Sequence, residues 1–170
     1  MKHRDRRVQA LVAALALVMI AVTAYALTGR DEQASAARQA EIAAKGRQVM
    51  PFDLERTTHR FTTSATGGVQ TVTSDDPADT GQVALIREHL TKEAERFGRG
   101  DYGDPASIHG GRMPGLRDLE QGHDRITIGY AELPAGATIT YTTTDPSLVK
   151  ALHAWFDAQV TDHGRHAEHG

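Results

Sequence analysis

The chain has 170 residues, a formal charge of −3 and no cysteine. The absence of cysteine excludes disulfides, thiolate metal sites and thiol nucleophiles together, and the negative balance argues against nucleic acid as a partner. This length fits one domain plus an N-terminal appendage. Asparagine is absent and arginine far outnumbers lysine, which reads as a compositional bias with no physical consequence. Nine histidines are many for the length, and most lie after position 88.

Residues 1–7 are basic, with Lys2, His3, Arg4, Arg6 and Arg7. Residues 8–28 follow without a charge, and a run of about 20 apolar residues spans a bilayer as a helix. Positive charge before such a run stays inside, so the expected protein is a single-pass membrane protein anchored through residues 8–28. Its C-terminal domain then lies outside the cytoplasm. Ala24-Tyr25-Ala26 also fits a cleavage site, so secretion after cleavage near Ala26 is the alternative. Residues 29–56 are rich in Ala and charged side chains and read as a solvated stalk.

From residue 57 to 164 the pattern is that of an extracytoplasmic α+β domain. Phe61, Thr63 and Ala65 alternate with polar neighbours, Gly67-Gly68 supplies a hairpin turn, and residues 69–74 return. Val83, Ile86, Leu90, Ala94 and Phe97 mark a helix over 80–97 at helical spacing. Residues 99–123 are glycine-rich and irregular, with a short helix over 114–121. A second hairpin follows around Pro134-Ala135-Gly136. Then comes a helix capped by Asp145, with Pro146 in its first turn and Gly164 past its end. Residues 165–170 form a His-rich tail too polar to pack.

The order hairpin, helix, loop, hairpin, helix suggests a duplication. Both second strands are threonine-rich and end at Asp-Pro, and Arg60-Phe61-Thr62 matches Arg125-Ile126-Thr127. Both helices carry a histidine and an acid one turn apart, His89 with Glu93 and His153 with Asp157. The fold expected is therefore two ββα units forming a four-stranded antiparallel sheet, with helices on one face.

This pattern nominates His89, His153, His109, Glu93, Asp157, Met113 and His163 as metal ligands. Imidazole with thioether favours copper or haem iron, and imidazole with carboxylate suits zinc or iron. Each histidine also has a structural reading, as a ring bonded to its neighbouring acid. His163 sits where a helix C-terminus welcomes a cation. The phosphate loop, the His-Glu-x-x-His helix and the Gly-x-Ser-x-Gly elbow are all missing.

The segments Ile108-His109-Gly110-Gly111-Arg112-Met113-Pro114-Gly115-Leu116 and Leu152-His153-Ala154-Trp155-Phe156-Asp157-Ala158-Gln159 resemble a group of small exported bacterial proteins. Asp162-His163-Gly164 extends the likeness, which covers roughly residues 58–166. That group often carries the label aspartate carbamoyltransferase. The Ser-Thr-Arg-Thr phosphate loop and His-Pro-Thr-Gln motif of that enzyme are absent here. That activity is therefore not expected, and no catalytic residue is carried over.

The expected function is a membrane-anchored extracytoplasmic protein that binds copper, zinc, iron or haem through histidines. The alternatives are a small hydrolase or transferase using His109 and His153 as acid and base, and a non-catalytic envelope module that binds a protein partner.

Overall fold

The structure, a computed structural model, describes residues 30–170 together with Met19 and Tyr25. The expected anchor or signal peptide over 1–28 otherwise lies outside the described residues. Among these, no helix is long and apolar enough to cross a membrane. The chain divides into two compact units, 1–38 and 39–170. In the first, residues 30–38 are helical.

In the second unit, residues 39–49 form helix α1. The solvated stalk expected over 29–56 is not solvated throughout: Ile42, Phe52 and Leu54 are buried. The Gln82 side chain secures this segment by accepting from Asp53 N at 3.1 Å and donating to Asp53 O at 2.7 Å.

The strands are β1 (Thr57–Ser64), β2 (Gly67–Ser74), β3 (Thr127–Leu133), β4 (Gly136–Thr142) and β5 (Ala167–His169). They form one mixed sheet in the order β3-β4-β2-β1-β5. The sheet has five strands where four were expected. The fifth is the tail, which runs parallel to β1 with Ala167 opposite His59. Its polarity is no obstacle, because Ala167 alone is buried while Glu168 and His169 stay exposed. The Arg60 guanidinium holds Glu168 at 2.5 Å.

The helices are α2 (Thr80–Phe97), α3 (Gly103–His109), α4 (Leu116–Gly122) and α5 (Pro146–His163). Asp79 and Asp145 cap α2 and α5 by accepting from Gln82 N and Ser147 N. Helix α3 lies within the stretch expected to be irregular. Sheet residues Phe61, Val72, Ile139 and Tyr141 pack with Ile86, Leu90, Leu152, Trp155 and Phe156 in one core. The other face of the sheet exposes Thr127, Thr140 and Thr142.

A single shift of number relates the two hairpins. Adding 69 carries the pairs Thr58–Thr73 and Ser64–Gly67 onto Thr127–Thr142 and Leu133–Gly136. The central β2–β4 ladder maps onto itself, Gly67–Thr142 becoming Gly136–Thr73. Thr143 N donates to Thr66 O at 2.9 Å, and Ser74 N donates to Ala135 O at 2.8 Å, again 69 apart. A Cβ on Gly67 would meet Tyr141 O at 1.9 Å, and one on Gly136 would meet Val72 O at 2.0 Å. The same close approach of backbones therefore requires glycine at both positions.

The helices are exchanged between the hairpins. Helix α2 lies over β4, β3 and β2, and α5 lies over β1, β5 and β2, so each helix packs mainly on the hairpin it does not follow directly from and both share β2. Arg87 of α2 donates to Leu133 O at 2.5 Å and Gly136 O at 3.2 Å. His153 of α5 bonds Ser64 O at 3.1 Å and Gly67 O at 3.0 Å through Nε2. These are matching sites on the two turns. The helices begin 66 residues apart, so His153 corresponds to Arg87, and His89 corresponds to Trp155. The sequence expectation had aligned His89 with His153, two residues out of step.

Candidate histidine cavity

Between α2 and α5 lies a cavity of about 40 Å³, closed by the end of α1 and by α3. His59, His89, His109, His163 and Glu93 all line it. Four of the seven nominated residues therefore converge, and a fifth group, His59, joins them. Three matched positions of the two helices line it together: His89 with Trp155, Glu93 with Gln159, and Phe97 with His163.

The other three nominated residues lie elsewhere. His153 clasps the β1–β2 turn, as described above. The Asp157 side chain is 68% exposed, with its Oδ1 3.9 Å from His169 Nδ1. Met113 is buried and lines a separate open cleft with Arg112, Arg117 and Glu120. For the two residues on α5 the reason is helical phase, whereas Met113 lies in the loop between α3 and α4. Both Trp155 and Phe156 are fully buried, and this turns His153 toward the hairpin and Asp157 to the outside.

His59 was missed although its signal is present in the sequence. It lies two residues before Phe61 on the same strand, so it faces the same side. The residue is 3% exposed, and its Nδ1 is buried without a hydrogen-bond partner.

Three imidazoles stand in a row. His163 lies between His59, at a ring-centroid distance of 5.1 Å, and His109, at 5.0 Å. The far end is fixed by Asp162, whose Oδ2 lies 2.8 Å from His109 Nδ1. Helix α5 supplies both Asp162 and His163, α3 supplies His109, and β1 supplies His59.

Burial, with His89, His166 and His109 nearby, pulls the His59 pKa down to about 4. Burial and the neighbouring rings of His59, His109 and His166 hold His163 well below its ordinary value. Burial also lowers His89, against the opposing pull of Asp104. These rings are therefore neutral at pH 7, the form in which imidazole binds a metal. The cationic role expected of His163 at the helix C-terminus is not the one it plays.

Two carboxylates, Glu93 and Asp104, also line the cavity. Arg96 binds Asp104 at 2.5 Å, Asp101 at 2.9 Å and Glu93 at 3.3 Å. Three acids thus compete for one guanidinium. Burial and the Asp104 charge push the Glu93 pKa up to about 8, with Arg96 opposing, so Glu93 carries its proton at pH 7.

Among the described residues, no group of three or more His, Asp and Glu side chains is gathered closely enough to hold one metal ion. The imidazoles are gathered as neighbouring pairs. No family model matches the chain, and neither a curated protein nor a solved structure shows significant similarity to it.

Proposed function

We propose that this is a membrane-anchored extracytoplasmic protein whose cavity takes a single transition-metal ion on His163 and one of its two neighbours. The observation that carries this reading is the row of neutral rings. A spacing of 5.0–5.1 Å between centroids suits two imidazoles on one tetrahedral ion with metal–nitrogen bonds of about 2.0–2.1 Å. The orphaned Nδ1 of His59 gains a partner in that arrangement. A cavity of about 40 Å³ favours an ion over a porphyrin.

The test is titration of the chelator-stripped full chain in detergent with Cu, Zn and Co ions. Trp155, the single tryptophan, lines the cavity and reports occupancy by its fluorescence. One ion per chain, lost in His163→Ala, is the expected result. No stoichiometric uptake by the wild type overturns it. The anchor is tested by a reporter fused after Gly170, which belongs outside the cytoplasmic membrane.

The same reading includes an internal duplication of one hairpin-helix unit. Its support is the shared shift of 69 in the strand pairing and the matched clasps of Arg87 and His153. A second function, acid–base catalysis, is favoured by the His109–Asp162 contact of 2.8 Å. A carboxylate on Nδ1 orients the ring and raises the basicity of its other nitrogen. Hydrolase or transferase activity lost in His109→Gln, in protein free of metal, would mark that reading as the correct one.

A further inference from the structure

The donors around the cavity also bear on which ion it takes. We infer that the ion is monovalent copper, and that Met50 supplies a thioether to it beside His59 and His163. This rests on the metal-binding reading above and narrows it.

Met50 follows directly on α1 and lines the same cavity as the histidine row. It is partly exposed, as are His89 and His163, whereas His59 is buried. The methionine nominated from the sequence, Met113, lines a different cleft.

The harder donors are engaged elsewhere. Glu93 and Asp104, the carboxylates on this cavity, are both bound to Arg96. Structural zinc takes a closed tetrahedral set of His, Cys or carboxylate ligands. The chain has no cysteine, and among the described residues no three His, Asp and Glu side chains meet. Monovalent copper is satisfied by fewer and softer ligands, and a thioether selects for it. Two imidazoles and one thioether meet that need without moving the carboxylates.

The experiment uses the full chain in detergent, without oxygen. Monovalent copper is supplied through a coloured competing chelator, and zinc is titrated separately. Leucine replaces methionine at nearly constant volume, so Met50→Leu preserves packing. The expected result is a dissociation constant for monovalent copper raised about tenfold or more in Met50→Leu, with zinc affinity unchanged. Met113→Leu should alter neither. X-ray absorption should show a sulfur neighbour to copper in the wild type that Met50→Leu lacks. Equal copper affinity in wild type and Met50→Leu, a first shell without sulfur, or tighter binding of zinc than of copper overturns the inference and leaves the metal reading intact. No uptake of any ion overturns both.

Discussion

Glu93 should give the domain an alkaline weakness that one substitution removes. Its carboxyl has a pKa of about 8 in the fold, raised from 4.5 by burial and by Asp104. A group raised in this way holds its proton longer when folded. The stability it contributes is complete below 4.5 and is lost as pH rises through 8. His59 is the opposite case, with a pKa lowered from 6.5 to about 4. Its contribution is lost as pH falls from 6.5 toward 4, and His89 and His163 shift in the same direction. Each group contributes about 1.4 kcal/mol per pH unit inside its own window. Below pH 6.5 the histidines together outweigh Glu93. Between pH 6.5 and 8.5 Glu93 acts against the fold without that opposition, at a total of about 2 kcal/mol. Stability should therefore peak near pH 6.5. The assay is urea unfolding of the metal-free chain, followed by Trp155 fluorescence from pH 5 to 8.5. Glu93→Gln keeps the size and removes the charge, as Gln159 does at the matching position of α5. It should abolish the alkaline fall and leave the acid limb in place. A wild type equally stable at pH 6.5 and 8.5, or a variant that keeps the fall, would refute the argument.

His153→Ala removes the clasp on Ser64 O and Gly67 O, so it should cost about 1 kcal/mol in the same unfolding assay. Metal uptake should be unchanged, because His153 lies away from the cavity. Gly67→Ala and Gly136→Ala should each cost about 3 kcal/mol or more, since each Cβ would fall within 2.0 Å of a neighbouring strand's carbonyl oxygen. Thermal unfolding should find the two losses equal to within experimental error, and a tolerant site at either glycine would break the correspondence of the turns. Ending the chain after Gly164 removes β5 and should cost roughly 2 kcal/mol. Faster amide hydrogen exchange in β1, around His59 and Phe61, is the expected sign.

The long helices were legible because their signals are local. Asp145, Pro146 and Gly164 bracket α5, and apolar spacing marks α2. Helix α3 is short, begins at Gly103 and contains Pro105, so it has neither a stripe nor a propensity to announce it. Strand β5 has one buried residue, and only its register against β1 makes it a strand. The two His-x-x-x-acid pairs do not share a site: His89 and Glu93 line the cavity, while His153 holds the β1–β2 turn. Turn length, which sequence does not display, starts the helices 66 residues apart where the strand pairing shifts by 69, and the nominated ligands divide accordingly. His109 and His163 meet because α3 folds back against the end of α5, a contact 53 residues long in sequence between His109 and Asp162. His59 needed only the period of two extended one step further back.

The exchange of helices between hairpins also sets an order of events in time. Strand β2 has its inner neighbour in β4, where Val69 faces Thr140, and α2 rests mostly on β3 and β4, which come after it in the chain. A hairpin by itself is marginal in water. A chain delivered from its N-terminus therefore gains no resistant core as β1, β2 and α2 emerge. It remains an open, threadable polymer until Thr142 arrives and the sheet closes about its middle. Such distant pairing slows folding, so the core should set only after β4 has joined the sheet.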